Sequence, residues 1–127
     1  MRQIKLLFLI FTTFSICKIS FAESLEYIIV TNEKSDTVSI VDIESFQIVK
    51  TIEIGDRPRG LGLSPDNSEI YVAVSGENKI KVIDPKTLKV TRNFYSGDDP
   101  ESFAVHQNGL IFISNEEVAE ASVIDPK

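Results

Sequence analysis

Residues 71–84 have the sequence YVAVSGENKIKVID, and the chain contains two further segments of the same pattern. Residues 29–42 are IVTNEKSDTVSIVD and residues 112–125 are FISNEEVAEASVID, so the successive offsets are 42 and 41 residues. A separate landmark, Gly-Asp-x-Pro at 55–58 and 97–100, repeats at the same offset of 42. Internal repeats of about 20 to 50 residues are typical of solenoid and propeller folds.

Each repeat is predicted to form short strands separated by turns. In the central repeat the predicted strands are residues 59–63, 69–75, 79–84 and 88–95, which are rich in alternating or β-branched apolar residues. The first two are separated by Ser64-Pro65-Asp66-Asn67, a turn signal because proline fixes φ and Asp and Asn tolerate a tight backbone. Four strands in about 40 residues are the content of one propeller blade.

The sequence therefore predicts an all-β fold of β-propeller blades, each a four-stranded antiparallel sheet, preceded by an N-terminal signal helix. About two and a half repeats are present, at approximately residues 27–57, 58–96 and 100–127. A closed propeller takes about 4 to 8 blades, so this chain is expected to be the N-terminal part of a propeller.

Residues 1–22 are predicted to be an export signal. Residues 1–5 carry its positive charge, residues 6–16 form its apolar segment, and small residues stand at the −3 and −1 positions of a cut after Ala22. The folded domain is then expected to span residues 23–127, in the periplasm or outside the cell.

Two other interpretations of this N-terminal segment are weaker. An uncleaved membrane anchor needs roughly 20 predominantly apolar residues, and Lys18 interrupts the run well before that length. A lipoprotein would be modified at Cys17, but the branched Ile16 stands before it where a small residue is expected.

Composition excludes several classes of function. The 127 residues include 13 Lys and Arg against 19 Asp and Glu, a net charge of −6, and cleavage after Ala22 would lower it to −9 and remove the only cysteine. An acidic chain repels nucleic-acid phosphates, and one histidine without cysteine supplies too few ligands for a zinc site. We therefore expect no cofactor, no metal site, no nucleic-acid partner, and no membrane contact after cleavage.

Asp42, Asp84 and Asp125 each end one of the repeated segments, and a carboxylate array is one interpretation of them. A turn role is favoured, since Asp at a strand end accepts hydrogen bonds from the amides that follow. His106 also falls in a predicted turn with no second His or Cys beside it, which favours a solvated loop histidine over a metal ligand. No Gly-x-Ser-x-Gly elbow is present, so no catalytic triad is predicted.

Several short motifs resemble the YVTN β-propeller repeat family, and together they cover the whole predicted mature chain. Ile29-Val30-Thr31-Asn32 is one substitution from the Tyr-Val-Thr-Asn signature, and residues 36–42 are similar to the next strand of that repeat. The similarity continues in Arg57-Pro58-Arg59-Gly60, Leu63-Ser64-Pro65-Asp66 and Ile70-Tyr71-Val72.

A narrower resemblance rests on Asn32-Glu33-Lys34, the Arg-Pro-Arg-Gly segment and residues 96–104, SGDDPESFA. These are similar to the exported propeller associated with catabolism of alcohols by pyrroloquinoline-quinone (PQQ) dependent enzymes. The resemblance implies a periplasmic propeller encoded beside quinoprotein dehydrogenases and cytochromes, without established chemistry of its own. The sequence departs from the family at residues 105–109, Val-His-Gln-Asn-Gly, where Ser-Pro-Asp-Gly is usual.

The predicted binding loops carry Arg57, Arg59, Asp98, Asp99 and Glu101. In a propeller these proline-centred loops lead into the innermost strand of each blade, which lines the central channel. The two arginines occupy the repeat positions of Asp99 and Glu101, so opposite charges are expected side by side on adjacent blades. This predicts either ion pairs that fix blade packing or a polar site for an anionic ligand or a partner loop.

The sequence favours a non-catalytic binding or scaffold module whose partner is a periplasmic quinoprotein dehydrogenase or cytochrome. One alternative is the N-terminal part of a propeller enzyme, lactonase-like or quinoprotein, and another is a surface-layer repeat protein. Blades normally cover one another, so Ile28, Val30, Val72 and Val74 are expected to be uncovered on at least one side. The chain is accordingly expected to be marginally stable or to self-associate through its open blade faces.

Overall fold

The computed structural model describes residues 26–127, and the predicted export signal at residues 1–22 lies outside them. Ten strands fill the described residues, with two short 3-10 turns at Glu33–Ser35 and Ser75–Glu77. The strands are β1 (Tyr27–Asn32), β2 (Thr37–Asp42), β3 (Ile48–Glu53), β4 (Pro58–Leu63), β5 (Ile70–Val74), β6 (Lys79–Asp84), β7 (Lys89–Tyr95), β8 (Pro100–Val105), β9 (Ile111–Asn115) and β10 (Glu120–Ile124).

The strands form three antiparallel sheets, which we call blades 1 to 3. Blade 1 has the order β1-β2-β3, blade 2 the order β4-β5-β6-β7, and blade 3 the order β8-β9-β10. The prediction of an all-β fold with antiparallel, propeller-like blades is therefore confirmed. No helix within residues 26–127 is long and apolar enough to cross a membrane.

The repeat is visible in the backbone as well as in the sequence. Every residue with a positive φ in the described part of the chain has a counterpart one repeat away. The matched sets are Asp36, Asn78 and Ala119; Phe46 and Leu88; Gly55 and Gly97; Arg57 and Asp99; Asn67 and Gly109. Left-handed residues reverse the chain at turns, so the 42-residue period fixes where each blade turns.

A β-bulge follows the proline that begins β4 and the proline that begins β8. The pairing of β4 with β5 skips from Pro58 to Leu61, and that of β8 with β9 skips from Pro100 to Phe103. Proline has no backbone N–H and suits the first position of a strand. A bulge re-aims the side chains of its extra residues, here the ones that include Arg59 and Glu101.

Two apolar clusters hold the blades together. The cluster between blades 1 and 2 contains Val38, Ile40, Ile52, Ile54, Ile70, Val72, Val74 and Ile83, and the cluster between blades 2 and 3 contains Tyr71, Ala73, Ile80, Val82, Ile111 and Ile113. Successive residues of a strand face opposite sides, so β5 supplies Val72 to the first cluster and Tyr71 to the second. Blade 2 is thereby covered on both faces.

The expected exposure of four valine and isoleucine side chains is half correct. Ile28 and Val30 are 42% and 41% exposed, as predicted for a blade with an open face. Val72 and Val74 are fully buried, so the prediction was wrong for them. They belong to the middle blade, and the three strands of blade 1 suffice to cover that face.

Blade 3 approaches blade 2 closely at two glycines of β4. A Cβ atom added at Gly62 would lie 2.6 Å from Cε2 of Phe103, and one added at Gly60 would lie 3.0 Å from Cδ1 of the same ring. The ring of Phe103 in β8 therefore packs directly on the backbone of β4, where a side chain at position 60 or 62 would collide with it. β4 thus alternates glycines that face blade 3 with leucines, of which Leu61 packs against the cluster shared with blade 1.

Ala119 is predicted to be a weak point of blade 3. Its φ of 54° places an alanine in the left-handed region, where its counterparts Asp36 and Asn78 are residue types that tolerate that conformation better. We expect Ala119→Asn to raise the free energy of unfolding by about 0.5–1 kcal/mol because it relieves this strain. Urea unfolding measures this change in the free energy of unfolding. Ala121→Asn in β10 is the control, and it should not raise the free energy of unfolding. Equal effects at the two sites would contradict the assignment.

Candidate functional site

A group of charged side chains from all three blades lies where β4 and β8 begin. We call it the loop cluster, and it consists of Glu33, Arg57, Arg59, Asp99, Glu101 and Glu116. Glu33 follows β1 in blade 1, and Glu116 follows β9 in blade 3. Arg57 and Asp99 precede β4 and β8, and Arg59 and Glu101 are the second residues of those strands.

The backbone of the loop cluster is held by a link that repeats between successive blades. The amide N of Arg57 donates to Oδ1 of Asp36 in blade 1 at 3.2 Å, and the amide N of Asp99 donates to Oδ1 of Asn78 in blade 2 at 2.9 Å. Arg57 and Asp99 are themselves left-handed. Each loop is therefore tied to the blade before it by a short polar side chain at one repeat position.

Arg59 is the centre of the loop cluster. Its guanidinium lies 3.3 Å from Oε1 of Glu33 on blade 1 and 3.2 Å from Oε2 of Glu116 on blade 3, and it also contacts Glu101 on blade 3. The arginine side chain is only 16% exposed. Hydrogen bonds to charged groups are stronger than those between neutral groups, so one side chain joins three blades.

Arg57 makes the looser contacts of the pair. Its Nε lies 3.7 Å from Oε1 of Glu33, and another guanidinium nitrogen lies 3.7 Å from Oδ1 of Asp99. Asp99 is itself nearly buried and also accepts a hydrogen bond from the hydroxyl of Ser75. The buried carboxylate is thus oriented by blade 2, while Arg57 stays half exposed above it.

Four of the five residues predicted for the binding loops meet here, namely Arg57, Arg59, Asp99 and Glu101. Asp98 does not contact the arginines. Its Oδ1 accepts hydrogen bonds from Nδ2 of Asn78 at 3.1 Å and from the hydroxyl of Tyr95 at 2.8 Å, so it faces the neighbouring hairpin. The hydrogen bond to Asp98 raises the pKa of the Tyr95 phenol.

The sequence did not single out Glu33 and Glu116, which both contact Arg59. The two glutamates share one repeat position, which Ser75 holds in blade 2, but the repeat does not reveal that this position lies beside Arg59. With them, four carboxylates surround two guanidinium groups, and the cluster has a net charge of −2. Such a surface disfavours an anionic ligand and favours a cationic one.

The repeated aspartates serve as turn caps, as predicted. Oδ1 of Asp42 accepts the amide of Ser45 at 2.7 Å, Oδ1 of Asp84 accepts the amide of Lys86 at 2.7 Å, and Oδ1 of Asp125 accepts the amide of Lys127 at 3.1 Å. Hydrogen bonds from Ser45 and from the backbone at Lys86 lower the pKa of Asp42 and of Asp84, respectively.

His106 lies exposed in the turn between β8 and β9, as predicted for a loop histidine. Its Nδ1 accepts the amide of Asn108 at 3.3 Å, and its ring stands edge-on to that of Phe112. Within residues 26–127, no three His, Cys, Asp or Glu side chains are grouped in a way that could hold a metal ion. In the loop cluster the acids are separated by the arginines.

A second polar network lies at the opposite end of blades 2 and 3, beside an open cavity of about 330 Å³. Arg92 binds Glu69 through both carboxylate oxygens at 2.8–3.1 Å, donates to the carbonyl of Pro126 at 2.8 Å, and lies over the ring of Phe94. The hydroxyl of Tyr71 donates to Oε2 of Glu69 at 2.8 Å. The polar atoms are paired with one another, so the network joins blades rather than offering free groups to a ligand.

The network predicts an alkaline loss of stability. Burial and then the hydrogen bond to Glu69 raise the pKa of Tyr71 to about 12, against an ordinary value of 10.0. The folded state then keeps a proton that the unfolded state loses, so the stabilisation is complete below pH 10 and declines as the pH rises to about 12. We expect a loss of about 2 kcal/mol across this window, measured by urea unfolding. Tyr71→Phe should abolish that part of the pH dependence, and an unchanged slope would contradict the assignment.

The fold resembles parts of larger proteins of known structure. It matches Kuenenia stuttgartiensis hydrazine synthase with a TM-score of 0.71 and 17% identity over 79% of this chain and 29% of that one. It matches the dihydro-heme d1 dehydrogenase NirN, in complex with DHE, with a TM-score of 0.66 and 21% identity over 80% and 22% of the two chains. The WD40 β-propeller domain of Doa1 gives a TM-score of 0.67 and 12% identity over 80% and 33%.

At these identities the similarity shows the fold alone, and the chain spans a third or less of each of these structures. No curated protein sequence matches the chain. A sequence model of the YNCE-like β-propeller family does match, over residues 11–118, which is most of the chain. Together with the three antiparallel blades, this match shows that the chain belongs to the YNCE-like β-propeller family.

Proposed function

We propose that this chain is a non-catalytic, exported propeller module that binds a protein of PQQ-dependent alcohol catabolism, either a quinoprotein dehydrogenase or a cytochrome. The observation that carries the proposal is the loop cluster, which gathers charged groups from three blades on one surface. Clefts and ends of propellers are common ligand sites, and this end carries fixed charges in a defined arrangement.

The charge of the loop cluster indicates the kind of partner. Arg59 is largely buried among carboxylates, whereas Glu33 and Glu116 keep 49% and 66% of their side chains exposed. A partner would therefore meet mainly carboxylate oxygens, and a basic surface patch on the partner complements them. This favours the partner-loop alternative over a small anionic ligand.

The proposed export of the protein rests on its N-terminal segment. The cationic start, apolar run and small residues before Glu23 support export and cleavage after Ala22. The predicted product begins at Glu23, and the mass of the protein recovered from periplasm tests this. A product that retains residues 1–22 would contradict cleavage, and recovery from the cell surface would favour the surface-layer alternative.

The partner is tested by capture from periplasm with matched variants. Wild type and Glu33→Lys/Glu116→Lys are immobilised, and retained proteins are identified by mass and by their haem or quinone absorbance. We expect a quinoprotein or cytochrome to be retained by wild type and lost with the double variant, because the basic patch would meet lysines. Asp125→Lys is the control, since it changes the same kind of charge at the opposite end of the sheets.

The enzyme alternative is tested on the same preparations. Lactone substrates are incubated with the full chain and with the double variant, and we expect no hydrolysis above the buffer rate. Hydrolysis by the wild-type chain, or retention that is equal for all variants, would contradict the proposal.

A further inference from the structure

The turn between β8 and β9 contains the only Asn-Gly pair of the sequence, Asn108-Gly109. It lies at the end of the sheets opposite the loop cluster, and Asn108 is exposed there. The side-chain amide carbon of an asparagine is an electrophile, and the backbone nitrogen of the next residue is the nucleophile nearest to it. Asparagine is thermolabile in proteins, so the pair is a candidate site of chemical modification.

The repeat provides an internal comparison for this turn. Residues 106–109, His-Gln-Asn-Gly, occupy the places that residues 64–67, Ser-Pro-Asp-Asn, hold in blade 2. In both turns the backbone amide of the fourth residue donates to the carbonyl of the first at 2.9 Å. The two turns therefore have the same closing hydrogen bond and can be compared position by position.

The three positions after the first differ, and each difference favours attack on the asparagine. At the second position, the proline of blade 2 fixes φ, whereas Gln107 does not restrict this torsion in the same way. At the third, blade 2 has Asp66 and blade 3 has Asn108. An amide at Cγ can release ammonia, whereas an ionised carboxylate resists attack. At the fourth, the nitrogen of Gly109 is not shielded by a side chain.

Gly109 has the space and the backbone freedom that the attack needs. A Cβ atom added to it would meet no atom beyond its chain neighbours within 4 Å. Its φ of 94° lies in a region that glycine adopts without strain. The obstacle is the hydrogen bond from its amide to the carbonyl of His106, which must open before the nitrogen can attack. Because position 107 is not proline, this opening can occur locally within the exposed turn.

The other five asparagines lack this combination. Asn78 is fixed by hydrogen bonds of both its Nδ2 and its Oδ1. Asn67 is exposed, but it lies in the turn that contains proline, and the nitrogen after it belongs to a serine. The remaining three lie in strands, where pairing with a neighbouring strand fixes the backbone, namely Asn32, Asn93 and Asn115.

We propose that Asn108 undergoes spontaneous deamidation through a succinimide. The nitrogen of Gly109 loses its proton to hydroxide or water and forms a bond to Cγ of Asn108. The bond from Cγ to the side-chain nitrogen breaks, and this nitrogen takes up a proton and leaves as ammonia. Water then opens the ring at either of its two carbonyls, which leaves aspartate or isoaspartate at position 108. This inference goes beyond the role proposed for the loop cluster and does not depend on it.

The two products differ in their effect on the hairpin. In blade 2, Oδ1 of Asp66 accepts the amide of Ser68 at 3.0 Å. In blade 3, Oδ1 of Asn108 accepts the amide of Leu110 at 3.1 Å. An aspartate at position 108 keeps this hydrogen bond, because blade 2 forms the same turn with a carboxylate. Isoaspartate adds a methylene group to the backbone and shortens the side chain, so it disrupts the turn.

The test follows the full chain, purified as its host processes it, during incubation at slightly acidic and slightly alkaline pH. Intact mass records a gain of about 1 Da for each deamidation, and peptide mapping locates it. Released ammonia is measured in parallel. We expect Asn108 to react at least about tenfold faster than any other asparagine of the folded chain. The rate should rise with pH, because the attacking nitrogen must lose its proton.

Three variants test the geometry of the turn. Gly109→Asn installs the residue that blade 2 has at this place, and it should slow the reaction about tenfold or more because a side chain shields the nitrogen. Gln107→Pro installs the proline of blade 2 and should also slow the reaction, since the turn opens less often. Gln107→Ala is the matched control, and it should not slow the reaction. Circular dichroism checks that each variant is folded.

Each other outcome overturns the proposal. Deamidation confined to the chain unfolded in urea would mean that the folded turn protects Asn108. Equal rates at all asparagines, or a rate that Gly109→Asn leaves unchanged, would mean that the Asn-Gly pair does not determine the reaction. Hydrogen exchange of the Leu110 amide tests the products, because Asn108→Asp should preserve its protection and the isoaspartate form should lose it. Equal protection in the two forms would contradict the described turn. Glu33→Lys/Glu116→Lys should leave the rate unchanged, which separates this test from that of the loop cluster.

Discussion

Replacement of Ile40 by alanine is expected to lower the free energy of unfolding by about 3–4 kcal/mol. Ile40 lies in β2, is fully buried, and belongs to the cluster between blades 1 and 2. Removing its side chain deletes buried apolar contacts. It also leaves a cavity between the two sheets, because the sheets relax only partly. The loss is large because blade 1 is joined to the rest of the chain chiefly through this cluster and the polar contacts around it.

The measurement is urea unfolding of the full chain, followed by circular dichroism and by tyrosine fluorescence, since the sequence contains no tryptophan. Ile48→Ala is the matched control, because Ile48 lies in the next strand of the same blade and is 63% exposed. It should change stability by less than about 0.5 kcal/mol. Similar small losses at both positions would mean that blades 1 and 2 do not pack as described.

Replacement of Arg59 by methionine is expected to cost about 2–3 kcal/mol. Methionine preserves the apolar part of the side chain, so the change mainly removes the charge. Glu33, Glu101 and Glu116 would then face one another without the guanidinium that separates them. Breaking a fully buried pair by removing one partner costs about 3–5 kcal/mol, and the partial exposure of the three glutamates reduces this value.

Glu116→Gln is the matched control for Arg59, because it removes one exposed carboxylate and leaves the arginine paired with two others. We expect it to change stability by less than about 0.5 kcal/mol. The difference between the two variants should shrink in high salt, which screens the repulsion among the exposed acids. If Arg59→Met is as mild as Glu116→Gln, the loop cluster does not hold the blades together.

The repeat made most of the fold predictable. Three segments ending in an apolar pair and Asp, together with proline and glycine landmarks, place the strands and turns because the same turn residues recur in each blade. The backbone follows this period, as the left-handed Arg57 and Asp99 show. The positive φ of Arg57 and Asp99 was nevertheless not evident from the sequence. An arginine does not indicate a positive φ, and neither does a position before proline.

The packing of one blade against the next could not be predicted from the sequence. Val72 and Val74 were expected to be exposed because each strand pattern describes one sheet, whereas burial depends on which neighbouring sheet is present. Glu33 and Glu116 were missed for the same reason. Their contacts with Arg59 depend on a β-bulge that re-aims the arginine and on the spacing between three sheets.

Apolar clusters and repeated polar links hold successive blades in a fixed arrangement, and that arrangement brings the charges of separate repeats together at one end. A single blade would carry between one and three of these six charges without the others. The proposed binding surface is therefore a property of the packed blades and not of a single sequence motif.

Isothermal titration of the full chain with the captured quinoprotein or cytochrome measures whether the loop cluster is the surface that binds it. We expect Glu33→Lys/Glu116→Lys to weaken binding by about tenfold or more, salt to weaken the wild-type interaction, and Asp125→Lys to leave it unchanged. Equal affinities for all three proteins would contradict the claim that the loop cluster is the binding surface.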